Sequence, residues 1–405
     1  MSEIALRGTE WERILDASRN SVEYGAGSVA ELIKKFSKVF KLLGFNSEVV
    51  YPESWTSVKA LSKVYGWSEG YVKGVLSKKF GDPDEFVADV RGLLEKVSKA
   101  VGKPRAYYAI LKMDGDNMGK VISGKRGMLG VEAYLETTSN VENFKKPVTP
   151  PVHQTITRSL AGGDDVLALL PPDRAVEVAF RLQGEFREDW DGFDYLQGRT
   201  RSMSGGILIV HYKEPLYHAY SLVSGLEHLA KESGRNALAI GYLTHSGSYY
   251  RVVVNWDVFE GEALKKLLEL LGEEDKLSTK FIYEVMTDIE RWPERPEAIT
   301  ELFKFELGRH SKLSGEERVE VLKMFHEVTR HVRPVSLPKE TFETFADAIT
   351  VNPEHQSRAG DWPEVLFKVA EKKDVPPGEV AKVMKEQLRG ALLLLKILRE
   401  MGVGS

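Results

Sequence analysis

Two adjacent carboxylates behind two glycines carry the first chemical signal in this sequence: Gly162-Gly163-Asp164-Asp165, followed by the apolar run Val166 to Leu170. Glycine tolerates positive φ and has no Cβ. Gly162-Gly163 can therefore make a tight hairpin turn and let a phosphate come close to the backbone. Carboxylates on such a turn offer hard oxygen ligands to Mg²⁺ or Mn²⁺. Taken alone, the motif also reads as a solvated turn. A second stretch bears on that choice. Tyr107 to Met113 reads as a buried strand that runs straight into Asp114-Gly115-Asp116-Asn117. Acidic side chains at the end of an apolar strand are costly to place without a partner, and a metal is the usual one. Fifty residues separate Asp114 from Asp164, far enough for the two to end neighbouring strands of one sheet. Carboxylates from two such strands can hold two metal ions about 4 Å apart, a clamp that supports in-line attack of a hydroxyl on phosphorus.

A third cluster is Ala230-Lys231-Glu232-Ser233-Gly234-Arg235-Asn236, where Lys231 and Arg235 sit around a glycine that stops a helix. Cations there favour the helix dipole by about 0.3–1 kcal/mol each. They also suit a phosphate clamp, lysine as a point charge and arginine as a fork toward triphosphate oxygens. Other patterns are weaker. Gly115…Gly119-Lys120 is one residue short of a P-loop, and Val121 stands where Ser or Thr is needed. His326 and His331 are five residues apart and do not share a helix face, so no zinc pair is expected there. Arg309, His310 and Lys312, and Arg330, His331 and Arg333, form local basic clusters. These are expected on a solvated face, or against RNA phosphate or an acidic partner.

The elements that position these residues are legible in outline. The 405 residues include 42% hydrophobic side chains, enough for two or three domains with large cores. The net charge of −4 neither requires nor excludes nucleic acid. The absence of cysteine removes disulfides, thiol catalysis and Cys-ligated zinc. No signal-peptide pattern and no membrane-length apolar run are seen, so a cytoplasmic location is expected. Residues 1–103 read as mostly helical. One helix is expected to be capped at Ser28 with Glu31 completing a capping box, another at Asp82. Residues 104–256 alternate strand and helix signals: strand 106–113, a possible helix from Gly130 to Phe144, and then an ambiguous segment. There Val152 to Leu160 fits a helix, while Thr155 to Arg158 fits a strand pairing with Val166–Leu170. A helix from Pro172, strand 204–212, a helix from Pro215 to Ser233, and strands 236–244 and 248–256 around Ser246-Gly247 complete the region. Residues 257–405 read as a C-terminal helical domain. The order predicts an α+β fold, an antiparallel sheet with helices on one face in the ferredoxin-like palm arrangement.

Asp114-Gly115-Asp116-Asn117, Gly162-Gly163-Asp164-Asp165 and Lys231…Gly234-Arg235-Asn236 occur in the order of the cyclase/polymerase palm superfamily, which includes the GGDEF cyclases. With Tyr108 to Asp116, Gly163 to Pro171 and Gly206 to Tyr212 added, the chain resembles the large polymerase-like subunit of type III CRISPR effector complexes in the Cmr (III-B) form. The resemblance covers about 105–256 well and the flanks loosely. It implies antiviral defence by an enzyme that joins ATP into cyclic oligoadenylate when its complex binds target RNA, with guide RNA and other Cmr-type subunits as partners. None of the nine histidines is followed by Asp, so the HD nuclease usual in the family is expected to be lacking, and residues 1–103 to be a reduced N-terminal region. On this reading Asp114 and Asp164 bind two Mg²⁺ or Mn²⁺ ions, with Asp165 and Asp116 in support. Lys231 and Arg235 hold the triphosphate, and Asn117, Gly162, Gly163 and Asn236 complete the nucleotide site. The preference for adenine comes from the resemblance alone. Two other readings are a stand-alone GGDEF-type nucleotide cyclase and a catalytically silent scaffold that binds neighbouring subunits and RNA.

Overall fold

Tyr108, Ala109, Ile110 and Leu111 are consecutive, and in the computed structural model all four are buried in strand β1 (Tyr107–Gly115). A strand buried at successive positions needs cover on both faces of its sheet. The structure describes residues 1–116, 158–162, 164–188, 202–273, 276–337, 340, 341, 343–345 and 362–403. They fall into two compact units, Met1–Tyr108 and Ala109–Ser405.

The first unit is helical: α1 (Ser2–Leu6), α2 (Glu10–Asn20), α3 (Ser28–Leu43), α4 (Val58–Tyr65), α5 (Glu69–Phe80) and α6 (Pro83–Val101). Its core stacks Phe36 on Trp55 and sets Phe86 edge-on to the same indole. Asp82 caps α6, accepting from the Asp84 and Glu85 amides as its place before Pro83 predicts. The expected cap at Ser28 does not form. Gly27, at φ 55°, takes the N-cap position of α3, and Ser28 is already helical.

The second unit is built on a seven-stranded sheet in the order β2-β3-β1-β4-β5-β6-β7. The remaining strands are β2 (Arg158–Gly162), β3 (Asp165–Leu170), β4 (Met203–His211), β5 (Ala237–Leu243), β6 (Tyr249–Asn255) and β7 (Val332–Arg333). β2 and β3 form a hairpin, so the ambiguous stretch before Gly162 ends as a strand; residues 130–144 and 152–157 lie outside the described set. β3 pairs antiparallel with β1, β5 with β6, and β6 with β7. β4 and β5 are parallel, because α8 (Leu216–Glu232) crosses over between them. α7 (Pro172–Glu188) follows β3.

α8 lies close on the sheet at Gly206, where a Cβ would stand 2.7 Å from the Glu227 amide and 2.8 Å from the Val223 carbonyl. On β5, Gly241 faces Leu226 of the same helix. The opposite face of the sheet is covered too. Val252 pairs with Ile240, the neighbour of Gly241, so both point away from α8. Val252 meets Gly390 of the last helix, α14 (Pro377–Glu400). Helices therefore flank both faces at this end, one more than the one-sided cover read from the palm segment alone. Among the described residues, further helices are α9 (Glu262–Gly272), α10 (Thr279–Asp288), α11 (Pro296–Arg309), α12 (Gly315–Arg330) and α13 (Glu364–Lys373). α12 starts in a full capping box between Ser314 and Glu317. The last strand, β7, was not read from sequence. It is two residues long and sits at the end of α12.

Candidate active site

The β1–β3 register decides which acids meet. Met113 pairs with Val166, so the next antiparallel pair is Asp114 and Asp165. Period two along β1 puts Lys112 and Asp114 on one face, and both reach residues of α8. Gly162 pairs with Asp165 across the hairpin, leaving a two-residue connection of positions 163 and 164. Asp164 thus lies on the turn and Asp165 at the strand start. The turn is one residue further along than Gly162-Gly163 implied. Gly163 and Asn117 lie outside the described residues.

Like charges directly opposite on a sheet repel. Partial burial, together with the facing Asp114 carboxylate, pushes Asp165 above its ordinary value. Burial also raises Asp164, helped by the charges of Asp114 and Asp165 and opposed by Lys231. The compensating cation is Lys231. Its ammonium donates to Asp114 Oδ2 and lies 2.5 Å from Glu227 Oε1. Glu227 is buried and takes Lys112 Nζ on its other oxygen at 2.9 Å. Burial works to raise Glu227, but the hydrogen bonds from Lys231 and Lys112 outweigh it and hold the carboxylate below its usual range. Burial works to lower Lys231, and its bonds to Asp114 and Glu227 leave it raised. Two of the three ammonium N–H bonds are thereby used.

Asp116, two residues beyond Asp114, has a different environment. It is 4% exposed and accepts from Ser202 Oγ and Ser204 Oγ, both at 2.6 Å, and from the Asn236 amide at 3.0 Å. Burial raises it, against the lowering effect of these three donors and of Arg235. The Asn236 amide reaches it because Gly234, Arg235 and Asn236 all take positive φ, at 99°, 62° and 48°. Such backbone is strained for arginine and asparagine and needs external support. Arg333 of β7 supplies it. The guanidinium is 2% exposed and donates to the carbonyls of Ser233, Arg235 and Asn236 and to Asn255 Oδ1. Burial pulls its pKa down, with Asp116 and Asp257 pulling the other way. The Arg235 side chain stays exposed, while Asn236 Oδ1 is a buried acceptor with no hydrogen-bond partner.

The structure thus gathers Asp114, Asp165 and Lys231, sets Asp164 beside them, and holds Asp116 in a separate cage. Sequence reading missed Lys112, Glu227, Ser202, Ser204 and Arg333. Glu227 had a local signal, since it lies one helical turn before Lys231. Arg333 had none, being about a hundred residues from the turn it holds.

Residues 107–239 match the family model for the second palm domain of Cas10/Cmr2. The palm of this chain is a Cas10/Cmr2 palm. The matched span contains every site residue above except Asn255 and Arg333. Over 368 residues the chain is 35% identical to the CRISPR system Cmr subunit Cmr2 of Pyrococcus furiosus. That alignment covers 82% of this chain and 39% of the relative, so the chain spans about two fifths of the curated protein it matches. Like that of other Cas10/Cmr2 palms, the fold is nucleotidyltransferase-like. No described helix is long and apolar enough to cross a membrane.

Proposed function

We propose that this chain works as the large subunit of a cytoplasmic type III-B CRISPR effector complex, whose palm binds ATP with two divalent cations and joins ATP into cyclic oligoadenylate when target RNA is bound. Neighbouring Cmr-type subunits and the guide RNA are its partners in this reading. The observation that carries it is the facing pair Asp114 and Asp165, closed by Lys231, within a Cas10/Cmr2 palm.

The donor set fits hard cations. Asp165 faces the Asp114 carboxylate, and Asp165 and Asp164 both sit above their ordinary values, a crowding of acids that a divalent cation would relieve. Asp114, Asp165 and Asp164 would hold the ions. When bound, they lower the pKa of the attacking ribose hydroxyl and offset charge on the α-phosphate and pyrophosphate. The chain's own residues do the positioning. Glu227 anchors Lys231, whose third N–H is free to meet a triphosphate oxygen. Arg235 and Asn236 present themselves from the turn held by Arg333, and Gly162, at the end of β2, allows a phosphate close to the hairpin. In this assignment Asp116 positions that turn instead of binding metal, because both its oxygens already accept hydrogen bonds. The test is incubation of the complex reconstituted with guide and target RNA, Mn²⁺ and labelled ATP or GTP. Oligoadenylate from ATP, lost in Asp114→Asn/Asp165→Asn, is expected. A cyclic dinucleotide from GTP would favour the stand-alone cyclase, and no product from either would favour the scaffold.

A further inference from the structure

Away from the palm strands, three ligand-bearing side chains converge from two helices: Glu284 of α10, and Glu306 of α11 with His310 at its C-cap. The four-residue step puts Glu306 and His310 on one face of the last turn. One carboxylate oxygen from each Glu and an imidazole nitrogen all lie within 4.8 Å of one another. His310 Nε2 stands 2.6 Å from Glu284 Oε2 and 3.3 Å from Glu306 Oε2. The side chains of Glu306 and His310 are each only 10% exposed. Even so, Glu306 Oε2 and His310 Nε2 are buried atoms without a hydrogen-bond partner. They are close in space but misdirected for a hydrogen bond, and buried polar atoms in that condition cost stability.

Cations already engage both glutamates, Arg309 on the Glu284 oxygen that faces His310. Lys280 Nζ is 2.9 Å from Glu284 Oε1, and Arg309 lies 3.1 Å from Glu284 Oε2 and 3.5 Å from Glu306 Oε1. Groups around a metal site orient its ligands in this way. They also balance the two carboxylates, so charge alone would not hold Mg²⁺ or Ca²⁺ there. An imidazole nitrogen with carboxylate oxygens suits a dication that bonds nitrogen well.

We propose that Glu284, Glu306 and His310 form a structural site for a Zn²⁺-class transition-metal ion that ties α10 to the end of α11. With bonds of about 2.1 Å, tetrahedral ligand atoms stand roughly 3.4 Å apart. The Glu306–His310 spacing of 3.3 Å already meets that, and the partly exposed Glu284 has room to move out from 2.6 Å. The ion would reinforce contacts already present, the Leu277–Ser311 bridge and the hydrogen bond from the Ser278 amide to the His310 carbonyl. This turns His310 inward, whereas the Arg309-His310-Lys312 cluster reads from sequence as a solvated basic face.

The test titrates Zn²⁺ calorimetrically into the untagged full chain carrying Asp114→Asn/Asp165→Asn, so that the palm carboxylates take no ion, with Co²⁺ as a spectroscopic probe of nitrogen ligation. One ion per chain, a raised Tm and a Co²⁺ spectrum showing imidazole ligation are expected. His310→Ala and Glu284→Gln should each weaken Zn²⁺ by more than the roughly 10- to 100-fold that loss of an outer partner costs. Excess Mg²⁺ should not compete. Glu284→Gln preserves shape at a partly exposed position, so it decides the matter if His310→Ala fails to fold. No Zn²⁺ uptake, or uptake unchanged in Glu284→Gln, would reduce the cluster to ion pairs.

Discussion

Asp114 and Asp116 lie two residues apart at the end of β1, yet their surroundings are opposite. Asp116 has three donors on two oxygens. Asp114 faces Asp165 across the register and leans on Lys231 for compensation. The difference lies in what each can still bind. A carboxylate with fixed donors on both oxygens serves the fold. A facing pair compensated by one lysine can exchange that compensation for a cation. In the proposed site, Asp114 and Asp116 thus divide between chemistry and scaffold according to donors supplied from elsewhere in the chain.

The strongest way to break this contrast is to remove the support of the satisfied side. Arg333→Met keeps a long apolar side chain but removes the guanidinium bonds to three carbonyls and to Asn255 Oδ1. Stability should fall by about 3–5 kcal/mol, read from urea midpoints, because buried acceptors lose a charged partner. A loss within about 0.5 kcal/mol would mean that the turn does not depend on Arg333.

Gly206→Ala should act on both sides at once. The new Cβ would meet backbone atoms of α8 under 3.0 Å away, so the helix has to lift. A cost of about 1–3 kcal/mol is expected from overpacking, together with weaker ATP binding, because Lys231 rides on that helix. Unchanged thermal unfolding and ATP affinity would show that the close approach has slack.

Lys231→Ala sharpens the contrast on the exposed side. Removing one charge-assisted hydrogen bond of about 1.5–3 kcal/mol should weaken ATP roughly 10- to 100-fold and AMP far less, since AMP lacks the β- and γ-phosphates. Equal losses for both nucleotides would leave Lys231 as a partner of Asp114 and Glu227 only.

How much of this was legible in sequence follows the range of each interaction. β1, β3 and α8 announce themselves through local runs and breakers, and the fifty-residue gap between Asp114 and Asp164 correctly placed them near neighbouring strands. β7 did not, because two residues at a helix end carry no period. The division between Asp114 and Asp116 was hidden for the same reason. It rests on Ser202, Ser204 and Asn236, 86, 88 and 120 residues downstream, and on an arginine in a region that reads as helical. Local pattern identifies a carboxylate at a strand end, while only the fold says how many donors reach it.

The most direct measurement compares Asp165→Asn with the parent chain in stability against pH, with and without Mn²⁺ and ATP. A carboxyl raised in the folded chain holds its proton more tightly there. Its contribution to stability is present below the ordinary value of about 3.9 and is lost as pH rises through the raised value. Asp164 and Asp165 are both raised, so the cation-free parent should lose stability over that window. Asp165→Asn should flatten the loss and, at pH 7, be more stable than the parent by up to about 1 kcal/mol, the cost of facing like charges. The same change should abolish the Tm gain from Mn²⁺ with ATP. An Asp165→Asn chain that is less stable at pH 7, or that keeps the full Mn²⁺–ATP gain, would contradict the assignment of the Asp114–Asp165 pair as the cation site.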